Sequence, residues 1–530
     1  MDALREAARR DPEGEAVSAG ALSWSWQELD DRVDAAALHL ASAGVGPGSL
    51  VATLLPPSPE GLVLLHAVPR AGGILVPLHP AWTLPEVERA LVGVGGDPGG
   101  VGGEAGGEAG AGGGAGGVGG AGAGRGSPPA RGSSPMRGSS PMLLVVPDDR
   151  VPELRTAFPG VGVVPVEEVT EFARATGGWR PADVLLDADA PVALILTSGS
   201  TGAPRPVPVT RGNLMASARG AADRLRLDPA DRWLASLALA HVGGLALLHR
   251  GAVVGSTIVF AGPFEPDRFL ALADAGEITH ASLVPVMLRR LLDARGGRPA
   301  PRALRCVLLG GAGTPRPLLD EALDARWPVA LTWGMTEASS QVATAPPDHV
   351  RRKPGTVGRP LIGVTVQVVG PDGRARPRGE VGELVVAGPT VTPLASVAAS
   401  GGWHRTGDLG RLDPDGDLWI TGRASDRILT GGVTVEPAEV EAALLAHVDV
   451  AEVAVAGRPD PEWGERVVAF VVPTRLTAPP STAELDAFSR ERLASSKRPR
   501  TWVFLDALPR NANGKVDRKA LRAGGGGASG

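Results

Sequence analysis

Along most of the chain, short apolar runs lead into segments whose apolar residues recur at helical spacing. Leu194 to Leu196 precede such a segment from about Arg211, Ala281 to Val284 precede Met287 to Leu292, and Val307 to Leu309 precede Leu318 to Leu323. A short apolar run without alternation reads as a buried strand, and the periodic segment behind it as the helix that covers it. The repeated alternation predicts an α/β protein with mixed, largely parallel sheets flanked by helices. Ligands in such folds gather at the carboxyl ends of strands. After Leu418 the texture changes. Glu439 to Leu445 predicts an amphipathic helix, Ala451 to Ala456 and Val467 to Val472 predict strands, and Gly457-Arg458-Pro459 and Gly464 are turn signals. Residues 424–523 are therefore expected to form a small α+β domain behind a large domain of residues 1–423, with the boundary between Gly422 and Asp426.

One segment fits neither pattern. Residues 93–142 are nearly all Gly, Ala, Ser and Pro, with two tandem RGSSPM copies from Arg131. They cannot bury enough apolar surface to offset their ordering entropy, so a disordered insertion is expected there. It separates a helix opened by the capping box Thr83-Leu84-Pro85-Glu86 from the apolar strand Met142 to Val146. The tail, residues 524–530, is expected to be unstructured as well.

Length and composition narrow the class further. A chain of 530 residues, 43% hydrophobic, can bury several large cores. A net charge of -5 supplies no chain-wide attraction to nucleic acid or an anionic membrane, so a small acidic ligand needs a local site. Cys306 is the only cysteine, which excludes an internal disulfide and a thiolate metal cluster and fits a reducing cytoplasm. The start, MDALREAARRDPEGE, has no apolar core of an export signal, and every apolar stretch is interrupted short of a membrane span. There is no tyrosine and there are four lysines among many arginines, as codon bias from a GC-rich genome produces. Each remaining lysine gains weight for that reason.

Candidate chemistry begins at LILTSGSTGAPRPVPVT, Leu194 to Thr210. Thr197 to Gly202 are all small or hydroxylated, so their N–H groups are unshielded and a polyphosphate can be wrapped without a bulky side chain in the way. The Walker spacing is absent, and a flexible turn is an equal reading of this stretch taken alone.

TSGSTGAPRP resembles the phosphate loop of the acyl-adenylate-forming family, which includes acyl-CoA synthetases, adenylation domains and luciferases. Four further stretches resemble that family in its own order: TWGMTE from Thr332, RTGDLG from Arg405, GRASDRILTGG from Gly422 and PRNANGK from Pro509. The resemblance implies the adenylate-forming enzyme fold, with a large N-terminal domain and a mobile C-terminal lid. It implies ATP, Mg²⁺ and coenzyme A as ligands and an acid-thiol ligase activity through an acyl-adenylate. Thr197, Ser198, Gly199, Ser200, Thr201, Gly202 and Arg205 would hold phosphates. Gly310, Gly311 and Ala312 would line one side of adenine, and Trp333, at the family's usual tyrosine position, would stack on it; a core tryptophan is the alternative. Gly334 and Met335 adjoin it, Thr336 would contact the α-phosphate, and Glu337 would hold the metal. Asp408 would accept both ribose hydroxyls, and Arg423 would sit by ribose and phosphate. Lys515 would bridge the acid's carboxylate and the α-phosphate, stabilising the pentavalent transition state. Rotation about Ser425 would then withdraw Lys515 and bring the Gly431-Gly432 loop to the thiol.

The acid is read from fewer residues. Amino-acid-activating members carry an aspartate near the helix that starts here at Val242, whereas LALAHVGGLALL offers His241 and no carboxylate. Within the family, AHVGGLALL, THASLVPVMLRRLL and GMTEASSQVAT resemble the 2-succinylbenzoate-CoA ligases of menaquinone synthesis. His241, Ser282, Ser339, Ser340 and Gln341 are the expected acid contacts, and the arginines of SSKRPR, Ser495 to Arg500, are candidates for the coenzyme A nucleotide. A ligase for another aromatic or short aliphatic acid, a carrier-protein loader, and a catalytically weak nucleotide-binding regulator are the other readings. The last is motivated by Arg205-Pro206 standing where the family has Lys-Gly, which keeps a cation but loses glycine's freedom and one N–H. The implied partners are small molecules only, in the cytoplasm, with homo-oligomerisation left open.

Overall fold

The computed structural model describes residues 2–95, 142–171, 187–198, 204–510 and 515–523. The expected insertion therefore lies outside the described residues except for its ends, where Gly93 closes the helix Leu84–Gly93 and Met142 opens the strand Met142–Val146. Gly199, Ser200, Thr201, Gly202 and the tail also lie outside them.

Two large sheets carry the N-terminal part. One is six-stranded, ordered Gly162–Pro165, Met142–Val146, Leu50–Thr53, Ile74–Pro77, Pro191–Ser198 and Pro204–Thr210. All its pairings are parallel except the last. The other is nine-stranded, with a parallel centre that runs from Val329–Met335 through Cys306–Leu309, His280–Leu283, Arg232–Leu234 and Thr257–Val259 to Glu15–Ala19. Its flanks, including Ser340–Ala345, are antiparallel. The expected helices follow their strands as Arg211–Leu225, Pro285–Arg295 and Arg316–Asp324.

One apolar cluster joins the sheets. It takes Val51, Leu75 and Ile195 from the first, Val17, Trp233 and Ile258 from the second, and Leu29, Leu62 and Leu245 from the helices between them. Removing this much apolar surface from water fixes the two sheets relative to each other, so their carboxyl ends can share one cleft. A third sheet, Thr365–Val369, Gly382–Ala387, His404–Leu412 and Leu418–Arg423, is wholly antiparallel. Its core meets Trp333 and Val342 of the nine-stranded sheet and Ala338 of the turn between their strands.

The strand Pro204–Thr210 shows why prolines suit its place. It lies at the edge of its sheet, and Pro204, Pro206 and Pro208 recur every second residue. Their missing N–H groups all fall on the side away from Pro191–Ser198, so the ladder keeps its donors at the intervening residues.

Beyond Arg423 the chain enters a five-stranded sheet with helices Pro437–Leu444 and Thr482–Arg492. The turn expected at Gly457-Arg458-Pro459 is not a turn. The strand Val450–Asp460 runs straight through it, pairing Gly457 with Val467 and Pro459 with Glu465. This strand is also an edge, where proline costs no ladder bond. The chain reverses just before Gly464, whose φ of 76° a side chain would resist.

Candidate active site

The strands that flank the phosphate-loop stretch pair antiparallel. Thr197 stands opposite Arg205 across the two edge strands, and its Oγ1 donates to the Arg205 carbonyl at 3.2 Å. Thr197 and Ser198 thus form the root of the loop, at the carboxyl end of a strand. The guanidinium of Arg205 reaches across the cleft, Nη2 lying 2.6 Å from Glu337 Oε1. Glu337 belongs to the 3-10 turn Thr336–Ala338, and its carbonyl accepts from Thr392 N–H at 2.9 Å. The Arg205 side chain is 55% exposed, so the pair adds only tenths of a kcal/mol to about 1 kcal/mol to the fold. Its importance is placement: a cation from one sheet meets a carboxylate from the other. A carboxylate oxygen on a turn, with an open side, suits a hard divalent cation that keeps some of its water.

Asp408 is the most constrained carboxylate of the cleft. It sits directly opposite Arg423 in the antiparallel register, and Arg423 Nε lies 2.7 Å from its Oδ1. The Trp333 indole N–H donates to its Oδ2 at 2.8 Å, and its own N–H is received by Thr406 Oγ1 at 3.0 Å. Gly407, at φ 69°, gives the bend that turns Asp408 inward. Trp333 is 7% exposed, and its ring packs with Ala338, Val342, Leu361 and Leu384. Its body belongs to the core while its polar edge holds Asp408. Beside it, Gly334 cannot carry a side chain: a Cβ there would stand 1.7 Å from the Ser340 carbonyl oxygen. Met335, half-buried, packs against the same cluster. Gly310, Gly311 and Ala312 form the loop after Cys306–Leu309, with Gly311 at φ 78° and a Cβ at Gly310 only 2.8 Å from Thr332.

On the remaining side, His241 begins the helix Val242–Val254 without capping it through its side chain. Burial, aided by the charges of His79 and Lys515, lowers its pKa to about 4. The His79 ring lies 5.9 Å from it, centroid to centroid. Lys515 is brought to the same place by the small domain. Arg510 and Val516 pair as an antiparallel bridge, and Asp517 N–H donates to the Pro509 carbonyl at 2.8 Å, on either side of Lys515 in the chain. Crowding by the cleft walls lowers the Lys515 pKa, Arg423 lowers it further, and Asp408 opposes the shift.

Other expected contacts are less open. Ser282 is buried, its Oγ accepting from Trp233 Nε1 at 3.2 Å. Ser339 and Gln341 are buried too. The Gln341 Oε1 accepts from Thr344, while Ser339 Oγ and Gln341 Nε2 make no hydrogen bond. Ser340, at φ 103°, is the half-buried residue between them. Ser425 lies in the 3-10 turn Ala424–Asp426, its carbonyl held by Arg522 Nη2 at 3.2 Å. Gly431 and Gly432 form the tight turn between strands Ile428–Thr430 and Val433–Val435, at φ 55° and 77°. Gly431 packs on Trp463, whose other neighbour is the Arg500 guanidinium, 3.6 Å from the ring centroid. The acidic turn Asp413, Asp415 and Asp417 is closed by Lys353, with Nζ 2.6–2.8 Å from a carboxylate oxygen of each.

Two histidines of the cleft carry no motif in the sequence. His79 follows the strand Ile74–Pro77. His404, four residues before Asp408, has its pKa lowered by burial, with Glu337, Asp408 and Glu383 opposing and Arg205 reinforcing the shift.

Known proteins are similar to this chain along most of its length. The family model described as AMP-binding enzyme matches residues 4–95 and 128–394, and that described as AMP-binding enzyme C-terminal domain matches residues 439–515. The match is interrupted inside the Gly-rich stretch. A 2-succinylbenzoate–CoA ligase of Geobacillus kaustophilus is 42% identical over 336 residues, 62% of this chain and 68% of that one. One of Bacillus subtilis is 37% identical over 367 residues, 68% of this chain and 74% of that one. Among solved structures, o-succinylbenzoate CoA synthetase (MenE) of Bacillus subtilis with the acyl-adenylate intermediate OSB-AMP superposes with a TM-score of 0.81 at 31% identity, covering 98% of each chain. ATP-bound MatB from Rhodopseudomonas palustris gives 0.82 at 27% identity, covering 99% of each. No helix among the described residues is long and apolar enough to cross a membrane.

Proposed function

We propose that this chain, which belongs to the AMP-binding enzyme family, is a 2-succinylbenzoate–CoA ligase. It would convert 2-succinylbenzoate, ATP and coenzyme A to 2-succinylbenzoyl-CoA, AMP and diphosphate in menaquinone biosynthesis, as a cytoplasmic enzyme. One observation carries the reading. Lys515, on the small domain, is near enough to His241 for its charge to lower that residue's pKa, and Arg423 and Asp408 act on the lysine in turn. That supports one ammonium acting between an acid pocket and a nucleotide site.

The chemistry follows from that placement. A carboxylate is a poor acyl donor because oxide is a poor leaving group; attack by the carboxylate on the α-phosphate of ATP releases diphosphate and leaves AMP as a good one. Asp408, held by Trp333 and Arg423, accepts the ribose hydroxyls and fixes the nucleoside. Thr336 and Lys515 meet the α-phosphate, where the ammonium offsets the charge that builds in the transition state. Arg205 is free to turn from Glu337 to the polyphosphate, which a guanidinium holds bidentately. A magnesium ion held by Glu337 would screen the β- and γ-phosphates. The neutral His241 adds no charge repulsion or attraction at the acid and can donate or accept one hydrogen bond. Ser340, with Ser339 and Gln341 beside it, supplies further hydroxyl and amide groups toward a keto or second carboxylate group. In the second half-reaction, turning about Ser425 would replace Lys515 by the Gly431-Gly432 loop, opening a path for the thiol. Arg498 and Arg500 of the small domain would be candidates for the coenzyme A nucleotide.

Purified protein with ATP, Mg²⁺ and a panel of acids tests the reading. Diphosphate exchange is expected with 2-succinylbenzoate, and a CoA thioester on adding coenzyme A. A preference for benzoate or a fatty acid would replace the proposed substrate, and the absence of exchange with every acid would remove the activity itself.

A further inference from the structure

His79 has no place in the mechanism above, yet it occupies the acid side of the cleft. It follows a strand of the six-stranded sheet, whereas His241 follows the strand Arg232–Leu234 of the nine-stranded one. Each sheet thus sends one imidazole past its carboxyl edge, and the rings come within 5.9 Å, centroid to centroid. His79 is also oriented. The Ala81 N–H donates to its Nδ1 at 3.3 Å, which leaves the ring proton on Nε2. Burial lowers its pKa while Glu86 opposes, so the ring is neutral at physiological pH. The site therefore holds a fixed, uncharged N–H donor on the far side of His241.

Resting on the ligase reading above, we propose that His79 is a specificity residue that, paired with His241 across the two sheets, donates from Nε2 to a ketone oxygen on the acyl chain and selects 4-oxo carboxylic acids over their deoxy analogues. A carbonyl oxygen accepts such a bond without a charge, which suits a donor kept neutral by its surroundings. An acid lacking that oxygen leaves the donor unpaired in a partly buried site and loses binding accordingly.

The test compares 2-succinylbenzoate with the same acid reduced at the ketone to a methylene. Diphosphate exchange is measured on wild type, His79→Ala and His79→Gln, with thermal denaturation of each as a check on folding. The wild type is expected to favour the keto acid by about tenfold or more in kcat/KM. His79→Ala should erase that preference by raising KM for the keto acid alone, with the deoxy acid and ATP unaffected. His79→Gln, which retains an N–H donor, should restore part of it. An unchanged preference in His79→Ala, or an equal loss for both acids in both variants, would overturn the assignment while wild-type turnover of 2-succinylbenzoate kept the ligase reading intact. A wild type that activates neither acid overturns both.

Discussion

On the nucleotide side of the cleft, Asp408 is clamped by a guanidinium and an indole N–H delivered through strand register and core packing. On the acid side, His79 and His241 stand at the ends of elements as neutral rings, joined by proximity alone. The first arrangement suits a ligand common to a whole family, since moving any member means moving a sheet. The second suits a ligand that differs among relatives, because a side chain at an element end can change without disturbing the register behind it. Lys515, in the proposed mechanism, would belong to neither side and serve both.

Removing that shared group should give the largest effect. Lys515→Ala is expected to slow acyl-AMP formation by about 10²- to 10³-fold, read by diphosphate exchange, while thioester formation from supplied acyl-AMP changes little. Equal loss in both half-reactions would mean that the lysine shapes the cleft and is not a catalytic residue. Next comes the rigid side. Asp408→Ala should raise the KM for ATP by at least tenfold and lower Tm, because Trp333 Nε1 and Arg423 lose their acceptor. Arg205→Ala should slow adenylation about tenfold and thioesterification less, with Arg205→Lys close to wild type; unaltered exchange in the alanine variant would leave the cation without a role in phosphate binding.

Acidification probes the buried histidines. His66 and His249 stack at 5.8 Å deep in the core, with pKa values lowered by burial to about 3 and about 4. The unfolded chain binds their protons near pH 6.5 and the folded one does not, so stability is full above that pH and falls toward pH 4. Each such group amounts to on the order of 3 kcal/mol, and Tm should drop steeply over that interval. The smallest effect is expected on the acid side itself. With a pKa of about 4, His241 stays neutral between pH 6 and 7, so its titration should leave kcat/KM for the acid unaltered there. A protonation step at His241 within that window, seen by NMR, would contradict a neutral acid pocket.

The strand-helix alternation was legible because each apolar run is buried on its own, and the small domain because its pattern changes at one place. The residues expected to hold nucleotide lie in short motifs whose members are close in the chain. His79 and His404 were not legible, since neither periodicity nor spacing marks them. Only the burial of Leu62, Leu245 and their neighbours between the sheets brings His79 to His241. Trp333 was half legible: TWGMTE marked its position and a core ring was the alternative reading, but nothing in the sequence showed that its N–H serves Asp408. Pro459 misled because a proline signals a turn locally, whereas its place at a sheet edge is decided by strand order, a property of the whole domain.

The prolines beside the phosphate loop affect more than the loop. With Pro204, Pro206 and Pro208 all turned outward, the rim of the six-stranded sheet offers carbonyls and no donors, and the Pro208 carbonyl is already taken by Thr392 Oγ1. A neighbouring molecule seeking to add its own strand there would find acceptors but no N–H groups to pair with. An edge of this kind disfavours strand addition, and replacing these prolines by valine should lower solubility well before it alters catalysis.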